Sequence, residues 1–236
     1  PLDGLDSDAG RNLLSSFEDL GDQQWLHIHG LSRGHPLVLE LINRGASAGA
    51  FHETLENYVT VEIFSKLSAE QKRVLSALSI YREPVMLSAL AEQGLDTDEL
   101  DSLVEQGLAR QADTDTYDVH DLIREFLLRS LDANTKKEFH LKCSTWYEKQ
   151  TKNAEMIIEH IHHLICSDNH ELAAHLIANE GRDLIVQGHM ELLGLMESLS
   201  TESLQVPIQI QVLQQQGELL VLLGRFSEAE EILIST

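Results

Sequence analysis

Residues 60–132 constrain the fold most, because the spacing of their apolar residues changes from a helical period to a strand period and back. The first part of this segment predicts helices. Ser68 and Gln71 have the spacing of a capping box at a helix start, and Pro84 predicts the start of a second helix over residues 85–92.

The second part predicts a hairpin. A third helix over residues 97–106 is expected to end at Gly107, since glycine is favoured just after a helix. Residues 108–112 and 117–120 flank a polar turn and read as two strands, and a closing amphipathic helix follows. Three helices, a hairpin and a closing helix predict a winged-helix domain.

The flanking segments read as helices throughout. Residues 1–59 contain short helices and a Gly34-His35-Pro36 segment, and they predict a small helical lid domain. Residues 133–236 predict an α-solenoid of tetratricopeptide-like repeats, with small residues that let paired helices approach closely. The expected fold class is therefore mainly α: a lid at 1–59, a winged helix with a short β-hairpin at 60–132, and helical repeats at 133–236.

The net charge of −22 is the strongest global feature, and the acidic excess is spread over all three segments. Such a surface repels phosphate backbones and anionic lipid headgroups, so nucleic-acid and membrane partners are not expected. Adaptation to high salt is an alternative explanation. The chain begins at Pro1 without an initiator methionine and ends at Thr236 inside a helical unit, so we expect it to be a piece of a longer protein.

Cysteine usage and hydropathy predict a cytoplasmic protein. The two cysteines, Cys143 and Cys166, lie in apolar helical segments without a CxxC pattern, which favours a reducing compartment. No apolar run approaches the ~18 residues that a membrane span requires.

The order of these segments resembles the STAND signalling NTPases, which include the NB-ARC plant resistance proteins and the bacterial maltose-regulon activator. Residues 30–42, GLSRGHPLVLELI, are similar to the Gly-x-Pro segment of that family. Residues 117–127, YDVHDLIREFL, are similar to its MHD segment, with Val119 where the family has methionine. The phosphate-binding loop of the family is absent from these residues, so the resemblance places the ATP-binding core upstream of Pro1.

The resemblance implies a nucleotide-sensing role for four residues: Gly34, Pro36, His120 and Asp121. In the family, the proline packs near the adenine and the histidine reaches the β-phosphate of bound ADP, while the aspartate shapes the turn. By this likeness, ADP or ATP binds the full-length parent only. No cofactor is expected for this chain alone.

The histidines of residues 160–175 raise the question of a metal site. His160 and His163 lie three residues apart, and His162 and Cys166 lie four apart, which is compatible with zinc binding on a helix. The same spacing also fits packing positions of a helical repeat. No metal site and no catalytic residues are predicted from the sequence.

The leading hypothesis is a regulatory part of a nucleotide-operated signalling switch, whose repeats bind a protein partner or a small-molecule inducer. It allows for a nucleotide-driven oligomer of the parent and leaves open whether the parent is a slow ATPase. The alternative is a protein-interaction scaffold that does not depend on nucleotide. A DNA-binding winged-helix regulator is weaker, because residues 97–106 contain four acidic and no basic residues, whereas groove readers need basic or amide side chains.

Overall fold

The chain forms two compact units in a computed structural model, residues 1–130 and 131–236. The structure describes residues 5–14, 21–32, 36, 39, 64–150, 153–201 and 204–234. Its fold class is mainly α with one small antiparallel sheet, which confirms the prediction. No helix among the described residues combines the length and apolar character needed to cross a bilayer.

Unit 1 opens with two helices, α1 (Ser7–Leu13) and α2 (Asp22–Ser32). Asp6 caps α1 by accepting a hydrogen bond from the backbone N–H of Ala9 at 2.8 Å. Trp25 is buried, and its indole N–H donates to Ser7 Oγ at 2.8 Å. The bond ties α2 to the start of α1, because a buried indole N–H requires an acceptor.

The following elements of unit 1 occur in the order predicted for a winged helix. After a short 3₁₀ turn at Phe64–Lys66 they are α3 (Ala69–Ile80), β1 (Val85–Met86), α4 (Leu87–Glu92), α5 (Glu99–Glu105), β2 (Ala109–Asp113), β3 (Thr116–Val119) and α6 (Asp121–Ser130).

Local signals at the helix ends of unit 1 follow the sequence prediction. The capping box at the start of α3 is present, with Ser68 Oγ accepting from Gln71 N and Gln71 Oε1 accepting from Ser68 N, both at 3.0 Å. Gly107 adopts φ 73° just after α5, in the left-handed region that favours glycine. Leu75 is fully buried on α3, which packs against α5 and α6.

The sheet of unit 1 has the order β1-β3-β2, with both neighbouring pairs antiparallel. The predicted hairpin is confirmed, and its turn is shorter than expected, at residues 114–115. The predicted helix over 85–92 begins two residues later than expected. Val85 instead extends the sheet by pairing with Tyr117, since a β-branched residue fits a strand better than a helix start.

Unit 2 consists of helices in its described residues. They are α7 (Ala133–Glu148), α8 (Ala154–Cys166), α9 (His170–Val186), α10 (Leu192–Glu197), α11 (Val206–Leu222) and α12 (Phe226–Ile234). Several consecutive helices pack against each other, α7 with α8, α8 with α9 and α11 with α12, while α11 also packs on α9. This pattern agrees with the predicted helical repeats.

Small residues bring the paired helices of unit 2 together, as expected from the sequence. A Cβ added at Gly217 of α11 would lie only 2.7 Å from Leu233 Cδ2 of α12. Gly181 of α9 similarly makes room for Gln215 of α11, whose amide donates to the carbonyl of Ala178 at 3.1 Å. The close approach removes apolar surface of both helices from water, which is the main stabilising contribution in a helical pair.

Candidate functional site

The junction between β3 and α6 contains the histidine that the sequence singled out. Val119 ends β3 and is fully buried, and His120 follows it in a half-buried position with its Nδ1 atom inaccessible to solvent. The carbonyl of His120 accepts the first helical hydrogen bond of α6, from Arg124 N at 2.9 Å. His120 therefore stands at the point where the backbone changes from strand to helix.

A buried carboxylate holds this junction in place. Asp118 is only 4% exposed. One of its oxygens accepts from Val119 N at 2.8 Å and from the guanidinium of Arg124, while the other accepts from Arg110 Nε at 3.1 Å and from Arg110 Nη2. Arg124 also donates to the carbonyl of Val119 at 3.3 Å. Charge-assisted bonds of this kind are stronger than neutral ones, so the backbone immediately before His120 is tightly fixed.

The sequence analysis did not predict the ion pairs of Asp118 with Arg110 and Arg124. Alternation along β3 predicts one face buried and one exposed, yet Tyr117, Asp118 and Val119 are all buried. One signal was nevertheless present. Arg110 and Asp118 lie directly opposite each other in the hairpin register, as a cross-strand ion pair would require.

The structure describes three of the four residues that the sequence singled out. Gly34 lies outside the described residues. Pro36 is helical and exposed. His120 and Asp121 are adjacent at the β3–α6 junction, where Asp121 is exposed in the first turn of α6. The carboxylate that bonds to the backbone of the turn is that of Asp118, one residue before Val119.

Chemically, His120 suits a phosphate better than Asp121 does. An imidazole N–H can donate to a phosphate oxygen, and the partial exposure of His120 leaves the residue accessible from solvent. The exposed carboxylate of Asp121 repels an anion, although an acid in the first turn does stabilise the helix. Of these two residues, His120 is therefore the one whose side chain can donate a hydrogen bond to an anion.

The third helix of the winged-helix pattern does not present a DNA-reading surface. Asp98 just before α5, and Asp101 and Glu105 on it, are exposed, while Leu100 and Leu103 face the core. Carboxylates repel the phosphates of both strands and cannot neutralise them. The exposed face of α5 is thus poorly suited to contact with nucleic-acid phosphates.

The fold of this chain is similar to that of a Signal Transduction ATPase with Numerous Domains (STAND) protein with a tetratricopeptide repeat sensor from Pyrococcus horikoshii, known from a crystal structure. The two superpose with a TM-score of 0.67 and 24% sequence identity over 99% of this chain. This chain spans 35% of the length of that protein. No protein-family model and no curated protein matches the chain.

Proposed function

We propose that this chain is the regulatory part of a nucleotide-operated signalling switch. Unit 1 closes over ADP or ATP held by a nucleotide-binding domain outside these 236 residues, and the helical repeats of unit 2 bind the partner or inducer that operates the switch. The observation that carries the proposal is the likeness in fold, over 99% of the chain, to an ATPase of signal transduction that has a repeat sensor.

The β3–α6 junction supports the nucleotide half of the proposal. The hydrogen bonds of Asp118 and Arg124 fix the backbone at Val119, so the main chain next to His120 is held in place before any ligand arrives. A main chain that is already ordered loses little conformational entropy on binding. When bound, the nucleotide supplies an anionic phosphate, and His120 provides the hydrogen bond that favours the closed arrangement over the open one.

The proposal predicts that replacing His120 by alanine weakens nucleotide retention. Loss of one hydrogen bond to a charged group costs about 1.5–3 kcal/mol, which is about a 10–150-fold loss of affinity. The measurement uses the full-length product of the gene. Wild type and His120→Ala are purified in parallel, each is denatured, and the released nucleotide is identified and quantified by chromatography. We expect ADP from the wild type and a reduced yield from the variant.

The matched control is His189→Ala, which removes another half-buried histidine, from unit 2. It should release as much ADP as the wild type. Equal amounts of ADP from all three proteins would contradict the role of His120. Absence of nucleotide from the wild type would instead favour the alternative of a nucleotide-independent interaction scaffold.

A further inference from the structure

Three histidines from two helices of unit 2 lie together. His140 belongs to α7, and His162 and His163 are neighbours on α8. One ring nitrogen from each of the three lies within 4.8 Å of the others. His163 is fully buried and His140 is 8% exposed, whereas His162 is half-buried. The cluster is therefore closed on the core side and accessible on the side of His162.

The two buried histidines are in direct contact. Their Nδ1 atoms are 2.8 Å apart, so one ring must donate a proton to the other. Burial, together with a smaller effect of the positive charge of Lys136, lowers the pKa of His140 to about 4. His140 is consequently neutral near pH 7, which is the form in which an imidazole binds metal ions.

The distance between the Nδ1 atoms of His140 and His163 is close to the distance between two imidazole ligands of one metal ion. Two nitrogens bound to tetrahedral zinc at about 2.0–2.1 Å from the metal are about 3.3 Å apart. The Nδ1 atoms of His140 and His163 would need to separate by about 0.5 Å to reach this spacing. One ring nitrogen of His162 also lies within 4.8 Å of a ring nitrogen of each of the other two histidines.

We propose that His140, His162 and His163 form a three-histidine site for a divalent zinc-class ion, which clamps α7 to α8. Imidazole nitrogen is a preferred ligand of Zn²⁺, and three protein ligands leave a fourth position for water or another ligand. Residues 133–236 carry 15 acidic and 7 basic residues, so the field around these neutral ligands favours a cation. The positive charge of Lys136, one turn before His140 on α7, opposes cation binding locally.

Cys166 is not included in the site. Its Sγ lies 3.8 Å from both ring nitrogens of His162, on the same helix, but it does not belong to the group of ligand atoms that lie within 4.8 Å of one another. The sequence pattern concerned ligands on α8 alone, whereas the structure adds His140 from α7 to the cluster.

The test measures Zn²⁺ binding to the 236-residue chain carrying no histidine tag. After removal of metal with a chelator, calorimetry should show one Zn²⁺ bound per chain, with a rise in Tm on binding. Co²⁺ should give the intense visible absorption of a four-coordinate ion. His162→Gln should weaken Zn²⁺ binding at least about 100-fold and abolish the Co²⁺ spectrum, since it removes a ligand rather than an outer-shell partner.

His162→Gln is the informative variant because it leaves the buried contact between His140 and His163 in place, so the fold is retained. Its circular dichroism should match that of the wild type. The matched control is His175→Gln, which removes a half-buried histidine of α9 outside the cluster and should bind Zn²⁺ like the wild type. The proposal is overturned if the wild type binds no Zn²⁺, if His162→Gln binds it unchanged, or if His175→Gln weakens binding equally.

Discussion

Replacing Asp118 by alanine is expected to destabilise unit 1 by about 3–5 kcal/mol, the cost of breaking a buried ion pair by removing one partner. The side chain of Arg124 is only 15% exposed, so it would be left as a buried charge without this carboxylate. The backbone N–H of Val119 would lose its 2.8 Å acceptor as well. Amide hydrogen exchange followed by peptide mass spectrometry can measure the loss in β2 and β3 separately from unit 2.

Asp115→Ala is the matched control for this prediction. It removes the same charge from the same hairpin, but Asp115 is exposed in the turn, so its loss should change stability by less than about 0.5 kcal/mol. Arg110→Ala should also have a small effect, of about 1 kcal/mol or less, because its side chain is 59% exposed. If Asp118→Ala and Asp115→Ala both lowered the free energy of unfolding by the same small amount, the ion pairs of Asp118 would not stabilise the hairpin.

The Asp118 prediction is also linked to the proposed function. The carboxylate touches the backbone at Val119 and not the ligand, so Asp118 is a positioning residue for His120. A milder change, Asp118→Asn, keeps the shape of the side chain while removing its charge. In the full-length gene product, Asp118→Asn should reduce the amount of retained ADP, as His120→Ala does. Unlike His120→Ala, it should also increase hydrogen exchange in the β2–β3 hairpin.

Local signals explain why much of the fold could be predicted from the sequence. The capping box at Ser68 and Gln71, and the glycine at Gly107, each depend on a few consecutive residues, and each is present. The hairpin depends on a short alternating pattern on both sides of a polar turn. β1 was missed for the opposite reason. Its two residues carry no periodicity, and only pairing with β3 makes them a strand.

The candidate sites depend on contacts that local patterns do not encode. Asp118 has the position of an exposed residue in an alternating strand, yet it is buried and paired with Arg110 across the hairpin and with Arg124 on the next helix. The histidine cluster is a stronger example. The sequence showed the spacings of His160 with His163 and of His162 with Cys166. His140 lies on α7, however, and only helix packing places its Nδ1 atom 2.8 Å from that of His163. A spacing rule within one helix cannot detect a ligand from another.

The stability of unit 2 is expected to fall by about 3 kcal/mol between pH 6.5 and pH 4 because of His140. Its pKa is lowered to about 4 in the folded protein, chiefly by burial and also by Lys136, from an ordinary value of 6.5. Above pH 6.5 the side chain is neutral in both states and the full stability is present. Below pH 6.5 the unfolded chain takes up a proton that the folded chain does not, so the free energy of unfolding decreases until both states are protonated below pH 4.

Urea denaturation in the presence of a chelator, at several pH values between 7.5 and 4, measures this effect on the metal-free chain. The other titratable groups of the chain contribute a pH dependence of their own, and the groups that face His140 are Lys136 on α7 and His162 and His163 on α8. His140→Asn isolates the contribution of His140 to the pH dependence of stability, because asparagine places a hydrogen-bonding atom near the position of Nδ1 and does not titrate. The stability of the variant should vary less with pH than that of the wild type, by about 3 kcal/mol over the same interval. Identical pH dependence in the two proteins would mean that His140 has the same pKa in the folded and unfolded states. Burial between α7 and α8 would then not lower the pKa of this residue.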